Sequence, residues 1–313
     1  MNISKKVIMS FIMALTSLIS MAQPYYHVMK RDGSNLTEDA VYNAKTYKIR
    51  VDMVKPRPKD AIGGRITIEN FDCHISPKRS FYFTNKGNVY YNESEGKFHF
   101  EKSQLDYPSG PYSKDHCGHF CWDNNIAGCI DFRSFEHRDN ATDTYFFFAD
   151  PANLPKLKED LGNEEWAVLS SCEWSYVCAN LGEYGWKVDG KTCFLIDTTP
   201  DKSLLRAIES KNGGKTMTKA DFESYEAQGL VCLPTSGLLK HQLMGDGSIV
   251  SSTFYGQGTT GNYWSCTPGP GRIKGIPFPV GTYFMTIDSS NAGVWTSAVR
   301  ESGYAVRLVV LAD

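Results

Sequence analysis

The C-terminal segment from Gly261 onward constrains the fold more than any other part of the chain. An aromatic segment over Gly261–Ser265 is followed by a second one over Thr282–Asp288, and Tyr304–Leu311 is apolar apart from Arg307. Short runs of β-branched and aromatic residues are typical of strands. We therefore expect this segment to lie inside a packed β core, which leaves the connecting loops as the places where function resides.

Several other short segments also predict strands, because β-forming residues stand between turn residues. These segments are Arg65–Glu69, Ser80–Thr84, Asn88–Tyr91, Lys97–Glu101, Thr192–Asp197 and Leu230–Leu233. The region 105–150 has no helical period and is rich in Gly, Asp, Asn and Cys, so long loops are predicted there.

Two short helices are predicted from their starting residues. Ser170 and Glu173 have the spacing of a capping box, and Trp174 begins an apolar stripe at helical spacing that faces the core. A second helix starts at Thr218 and ends near Gly229. Few short helices among many strands predict the α+β fold class.

The N-terminal residues have the pattern of an export signal. Two lysines precede the apolar run Val7–Ile19, and small residues stand before Gln23, so residues 1–22 are predicted to be a signal peptide. The run is shorter than the ~20 residues that cross a bilayer, and no later segment is apolar enough to be an integral membrane segment. Gln23 stands where a lipoprotein has cysteine. We expect an exported protein, in the periplasm, outside the cell or on its surface.

Charge and length narrow the partners and the domain organisation. The formal charge of the full chain is −2, and removing the two lysines of the signal peptide makes it −4, so nucleic acid is not an expected partner. We interpret 23–62, which contains the stiff Lys55–Pro58 segment, as an N-terminal extension and 63–313 as one large domain.

A series of short motifs follows in fixed order across the predicted domain: Phe83–Tyr91, Lys97–Phe100, Val168–Trp174, Gly229–Pro234, Tyr263–Cys266 and Gly303–Val309. In this order they resemble the Fibrobacter-type major paralogous domain of secreted Bacteroidales proteins. That family has a C-type-lectin-like fold related to the formylglycine-generating (sulfatase-modifying) enzymes. The resemblance implies a scaffold of strands and two helices that carries long variable loops, in a surface protein sometimes placed among adhesins.

The chain departs from the enzymes of that fold. Their catalytic cysteines precede the closing strand, whereas 281–310 contains no cysteine here, and Cys266 lies too early to replace them. The calcium-binding motifs of true C-type lectins are also missing. We therefore predict a protein that is not an enzyme and has no cofactor; a formylglycine-generating type of enzyme is the alternative that these departures disfavour.

Nine cysteines in an exported protein permit disulfides, with at least one thiol left over. Cys117, Cys121 and Cys129 are the disulfide candidates because they are close together in a polar region. The same region offers an alternative, since His116, Cys117, His119 and Cys121 are the ligand types that zinc uses. Paired ligands on either side of a long loop are missing, so the disulfide or buried-thiol interpretation is preferred and no metal is predicted.

Aromatic residues in polar loops are the candidate ligand-binding residues. Tyr255, Trp264 and Trp295 stand in or beside loops rich in Gly, Ser, Thr and Asn, and Asn291 lies close to Trp295. Flat aromatic faces can stack on sugar rings or anchor a protein partner. For Trp264 the alternative is a core position. The string Gly256–Gly261 matches a dinucleotide-binding motif, but a β-like run follows it where a helix is needed.

Two functions from different classes remain. The first is a secreted or surface-associated recognition and adhesion module whose loops, over 242–272 and 289–302, bind a glycan or a protein. The second is a structural subunit of a surface assembly, such as a fimbrial tip, in which the N-terminal extension pairs with a partner by strand addition.

Overall fold

The computed structural model describes residues 47–70, 78–108, 113–121, 130–131, 155–162, 164–243, 249–273, 276–297 and 302–312. The predicted signal peptide and the first part of the predicted extension lie outside these ranges. Within them the protein is α+β: strands, mostly antiparallel, form several sheets, and the helices are few and short. None of the helices in these ranges has the length and apolar character needed to cross a membrane.

The strands in chain order are β1 (Tyr47–Asp52), β2 (Arg65–Asn70), β3 (Lys78–Tyr82), β4 (Val89–Asn92), β5 (Lys97–Phe100), β6 (Phe120–Cys121), β7 (Ile130–Asp131), β8 (Trp166–Val168), β9 (Gly182–Val188), β10 (Lys191–Asp197), β11 (Thr216–Met217), β12 (Leu230–Pro234), β13 (Leu238–Leu243), β14 (Ile249–Tyr255), β15 (Thr260–Ile273), β16 (Ile276–Asp288), β17 (Ala292–Ser297) and β18 (Leu308–Ala312). The described α-helices are α1 (Pro155–Leu161), α2 (Ser171–Asn180), α3 (Ser203–Asn212) and α4 (Lys219–Glu226), and a 3₁₀ turn over Pro200–Lys202 precedes α3.

The C-terminal strand lies in the interior of a five-stranded sheet. The order of this sheet is β1-β2-β3-β18-β8, and β18 is antiparallel to both of its neighbours. Leu308, Val309 and Val310 are all buried. The expectation that the segment ending the sequence is part of a packed β core is therefore confirmed.

The predicted extension is partly built into this sheet. β1 pairs along its whole length with β2, in a register that joins Tyr47 to Asn70 and Asp52 to Arg65. Ile62 is buried in the same apolar core, and its N–H donates to the carbonyl oxygen of Phe83. The segment 47–62 thus packs against the rest of the structure, with β1 as an edge strand.

Two further sheets bring the loops of interest together. One has the order β11-β9-β10-β12 and is packed against α3 and α4, whose apolar residues Leu205, Ile208 and Phe222 are buried. The other is the antiparallel sheet β15-β16-β17. Contacts of β16 with β9 and β10 place the two sheets against each other.

The predicted capping box is present at the start of α2. The Ser170 hydroxyl accepts a hydrogen bond from the Glu173 N–H at 3.2 Å, and the Glu173 carboxylate accepts one from the Ser170 N–H at 2.7 Å. Trp174 is fully buried, and its indole N–H donates to the carbonyl oxygen of Trp264 at 3.2 Å. Both the helix and its inward-facing tryptophan are confirmed. The second predicted helix is α4, where the Thr218 hydroxyl accepts from the Asp221 N–H.

Neither α1 nor α3 was predicted, and α3 escaped prediction because its stabilising group lies outside its own sequence window. α3 begins without a side-chain cap from its own N-cap residue, Lys202, whose backbone is left-handed. Instead the buried carboxylate of Asp197, at the end of β10, accepts hydrogen bonds from the Leu205 N–H at 2.9 Å and the Thr199 N–H at 2.8 Å. A distant carboxylate therefore satisfies the orphan amide of the first turn.

Candidate functional site

Two of the loops proposed for binding meet at one end of the β15-β16-β17 sheet. Thr260, the first residue of β15, pairs with Asp288, the last residue of β16. The turn that precedes β15 and the turn that links β16 to β17 are therefore neighbours. We call Tyr184, Tyr255–Thr260 and Asp288–Asn291 together the turn surface.

The turn between β16 and β17 is held by one carboxylate. Asp288 Oδ1 accepts hydrogen bonds from the N–H groups of Ser290 and Asn291, both at 2.7 Å, and from the Ser290 hydroxyl at 2.8 Å. Partial burial opposes ionisation, but these bonds prevail and hold the pKa of Asp288 below its ordinary value. The ionised Asp288 carboxylate thus stabilises the turn. Ser289, Ser290 and Asn291 are exposed.

The turn before β15 is anchored through its backbone. Gly256 has a φ of +69°, and its carbonyl oxygen accepts from the N–H groups of Thr259 and Thr260 at 2.8 and 2.6 Å. The Gly258 N–H donates to the carbonyl oxygen of Thr235 at 2.8 Å. Tyr255, at the start of this turn, is 49% exposed, so a large aromatic side chain is presented by a fixed backbone.

A second exposed tyrosine, which sequence reasoning missed, lies on a strand whose backbone approaches the Asp288–Asn291 turn. Tyr184 on β9 is 46% exposed. Its neighbour Gly185 has a φ of +82°, and a Cβ atom there would lie 3.3 Å from the carbonyl oxygen of Ser289. The β9 backbone therefore approaches the Asp288–Asn291 turn closely, which favours glycine. The only local signal for this exposed aromatic is that glycines stand on both sides of Glu183 and Tyr184.

A lysine positions the Tyr184 ring. The Lys215 ammonium lies 5.6 Å from the ring centroid and donates to the Tyr184 carbonyl oxygen at 3.3 Å. It also pairs with the Glu183 carboxylate at 2.6 Å. The cation–π contact is a weak attraction that restrains this exposed ring. A ligand that stacks on Tyr184 therefore meets a side chain that is already ordered.

The two tryptophans proposed for binding occupy different positions. Trp264 is 3% exposed; its indole N–H donates to the carbonyl oxygen of Phe120 at 2.5 Å, and its ring lies 4.3 Å from that of Tyr304. Trp264 thus packs inside the protein and does not belong to the turn surface. Trp295 is part of β17, opposite Phe284, and its side chain lies outside the described residues.

The residues proposed as metal ligands are dispersed. His116 Nε2 lies 2.6 Å from a Glu101 carboxylate oxygen, and the buried Cys117 Sγ lies 3.2 Å from the Ser113 carbonyl oxygen. His119 is buried against Phe254, and burial lowers its pKa to about 4. Among the described residues, no group of three or more His, Cys, Asp or Glu side chains is arranged to hold a metal ion. The side chain of Cys121 and all of Cys129 lie outside them, so the disulfide prediction stays a prediction.

The glycine-rich string Gly256–Gly261 leads into a strand and not into a helix, as its flanking sequence indicated. It forms a turn that leads directly into β15, and the Gly261 position faces the Pro234 carbonyl oxygen closely. A dinucleotide site needs a helix N-terminus at this point to face the pyrophosphate. The glycines Gly256 and Gly258, which have positive φ, therefore shape one turn of the turn surface.

Comparison with known proteins gives no relative: no family model, no curated protein and no solved structure matches this chain.

Proposed function

We propose that the protein is a secreted or surface-associated recognition module that binds a glycan or a protein through the turn surface and catalyses no reaction. The observation that carries this proposal is that the turn bearing the exposed Tyr255 lies beside the rigid, polar turn Asp288–Asn291, which the β9 backbone approaches next to the exposed Tyr184. Tyrosine offers a large amphipathic contact at low entropic cost, and Ser and Asn provide adaptable hydrogen bonds.

The order of motifs noted above supports a C-type-lectin-like fold of the Fibrobacter-type family for this module, and the α+β architecture is compatible with it. In such a scaffold a sheet-rich body carries functional loops. The turn surface has this character, because its turns are held by β15, β16 and β17 while their exposed side chains make no part of the core.

Binding is tested on an array of glycans and by pull-down with surface proteins, followed by titration of each ligand found. The variants are Tyr184→Ala and Tyr255→Ala, singly and together. Loss of an aromatic anchor at the centre of an interface raises Kd by a factor of ~10 or more, which corresponds to about 1.4 kcal/mol or more.

Tyr225→Ala is the matched control. Tyr225 on α4 also has a lysine ammonium above its ring, that of Lys211 at 5.7 Å, but it lies outside the turn surface. A ligand whose Kd is unchanged by Tyr184→Ala and Tyr255→Ala, or equally changed by Tyr225→Ala, would contradict the proposed site. Chemical turnover of a bound ligand would contradict the absence of catalysis.

A second candidate is a structural subunit of a surface assembly, favoured by the position of β1. This strand is at the edge of the five-stranded sheet, where strand addition is possible. Deleting residues 23–46, the part of the extension that precedes β1, should abolish assembly while the domain stays folded, because this deletion removes the proposed added strand and keeps β1. Assembly that persists after this deletion would exclude residues 23–46 as the pairing element.

A further inference from the structure

A fully buried guanidinium lies just before β18, at Arg307, which is 0% exposed. One of its nitrogens, Nη2, donates to Gln104 Oε1 and, at 3.3 Å, to the carbonyl oxygen of Thr84. Gln104 in turn donates from Nε2 to Glu226 Oε1 at 2.8 Å and accepts from the Cys232 N–H at 3.0 Å. One side of the guanidinium is therefore fixed by a hydrogen-bond network that joins four separate segments.

The other side of the same group has no protein partner. Arg307 Nε and Nη1 are buried, and neither has a hydrogen-bond partner among the described residues. Burial lowers the pKa of Arg307 to about 10, so the side chain still carries its charge at neutral pH. A buried donor left unpaired destabilises the folded protein, and more so when it is charged. Such donors are almost always satisfied in native proteins.

Glu226 does not supply the missing acceptor. Its carboxylate is engaged by Gln104, and partial burial raises its pKa despite that bond and the nearby positive charge of Arg307. Glu226 therefore acts on Arg307 through the Gln104 amide. Among the described residues, no acceptor reaches Nε or Nη1.

An unpartnered acceptor lies beside these donors. Asn88 is next to Val89, whose N–H donates to the carbonyl oxygen of Val306 at 3.0 Å, so Asn88 and Arg307 are on adjoining segments. Asn88 Oδ1 is buried and has no partner among the described residues. Its Nδ2 donates to the Tyr263 hydroxyl at 3.4 Å.

The Tyr263 hydroxyl determines how the Asn88 amide is oriented. This hydroxyl gives its single proton to the carbonyl oxygen of Pro234 at 2.6 Å, so it can only accept from Asn88. The amide nitrogen must face Tyr263, and Oδ1 must face away from it. The Ser236 hydroxyl lies beside the Tyr263 hydroxyl, and the Ser236 N–H donates to the same Pro234 oxygen at 2.8 Å.

We propose that ordered water molecules occupy a buried site lined by Arg307 Nε and Nη1 and by Asn88 Oδ1. Water fits this set because it accepts from the guanidinium and donates to the amide oxygen, and buried waters make about three such bonds. An anion without a proton, such as chloride or sulfate, could accept from Arg307, but it could not donate to Asn88. The ligand class is thus a small neutral molecule that both donates and accepts.

A high-resolution crystal structure of the intact protein tests this site. The expected result is density for water within hydrogen-bond distance of Nε or Nη1 of Arg307 and of Asn88 Oδ1. Nη2 is an internal control, because it already donates to Gln104 and Thr84, and no water is expected beside it. An empty space beside Nε and Nη1 would overturn the proposal, and so would an anomalous peak there after a bromide soak, which would identify an anion site.

The variant Asn88→Leu tests the bridging role of the amide oxygen. Its crystal structure should lack the water that contacts position 88, whereas Asn85→Leu, a neighbouring half-buried control, should keep it. The same water at an unchanged position in Asn88→Leu would overturn the assignment of Asn88 as a ligand. If Asn88→Leu does not fold, the wild-type structure and its bromide soak still decide whether the site holds water.

Discussion

His119 shows how burial decides the chemistry of a single residue. The sequence pattern made it a candidate zinc ligand, yet the structure places it in the interior with Nε2 lacking a partner among the described residues. Burial lowers its pKa to about 4, although the backbone groups of Ser236 and Gly237 act in the opposite direction. The folded protein therefore keeps this imidazole neutral in a pH range where an unfolded chain protonates it.

This difference predicts a loss of stability in acid. An unfolded histidine titrates near 6.5, so between pH 6.5 and about 4 the unfolded state binds a proton that folded His119 does not, and the free energy of unfolding falls as pH falls. The contribution is about 3 kcal/mol across that window. Denaturant unfolding of wild type, His119→Gln and the control His99→Gln at several pH values measures it. A pH slope that is the same in His119→Gln as in wild type would contradict the prediction.

Helix α2 depends on two interactions of different strength at its N-terminus. The capping box satisfies the first-turn amides, and the same Glu173 carboxylate lies 3.2 Å from Arg79 Nη1 in an ion pair whose side chains are almost completely buried. The local sequence predicted the cap because Ser170 and Glu173 are only three residues apart. The ion pair joins residues far apart in the chain, which no local pattern reveals.

We predict that mutations distinguish the cap from the ion pair, because the two contribute different amounts to the free energy of unfolding. Ser170→Ala should lower the free energy of unfolding by about 1 kcal/mol, the usual cost of a lost cap. Glu173→Ala should cost roughly 3–5 kcal/mol, because it leaves the buried Arg79 charge uncompensated. Thr218→Ala, at the exposed cap of α4, is the control for the loss of a cap alone. Equal costs for Ser170→Ala and Glu173→Ala in denaturant unfolding would show that the ion pair adds nothing.

At the scale of the whole molecule, the five-stranded sheet depends on its interior strand. β18 pairs with β3 on one side and β8 on the other, whereas β2 is the one described strand that pairs with β1. Removing an interior strand exposes two rows of backbone groups and a buried apolar face, but removing an edge strand exposes one row.

Deleting the C-terminal residues from Leu308 onward should therefore abolish cooperative unfolding. Deleting the N-terminal residues up to and including Asp52 should leave a folded protein of reduced stability. Thermal unfolding followed by circular dichroism, together with limited proteolysis, compares the two. A cooperative transition in the protein that lacks β18 would contradict the assignment of this strand to the core.

Sequence reasoning succeeded where the determining contacts are local. The capping box, the α4 cap and the apolar β18 could be predicted from residues only a few positions apart. It failed for α3, which relies on Asp197, and for Tyr184, whose place on the surface depends on the approach of β9 to Ser289. The cluster of orphan polar atoms near Tyr263 was also beyond prediction, because distant segments bring its members together.

The pairing of β18 with β3 also has a kinetic consequence. Val310 lies opposite Tyr82, so the sheet joins residues that are far apart along the chain. Contacts this distant along a chain require loop closure before they give any stabilisation, and folding slows accordingly. The local hairpins can form early, but the sheet that defines the domain is completed late. Until then its apolar strands are open to chaperones and to aggregation.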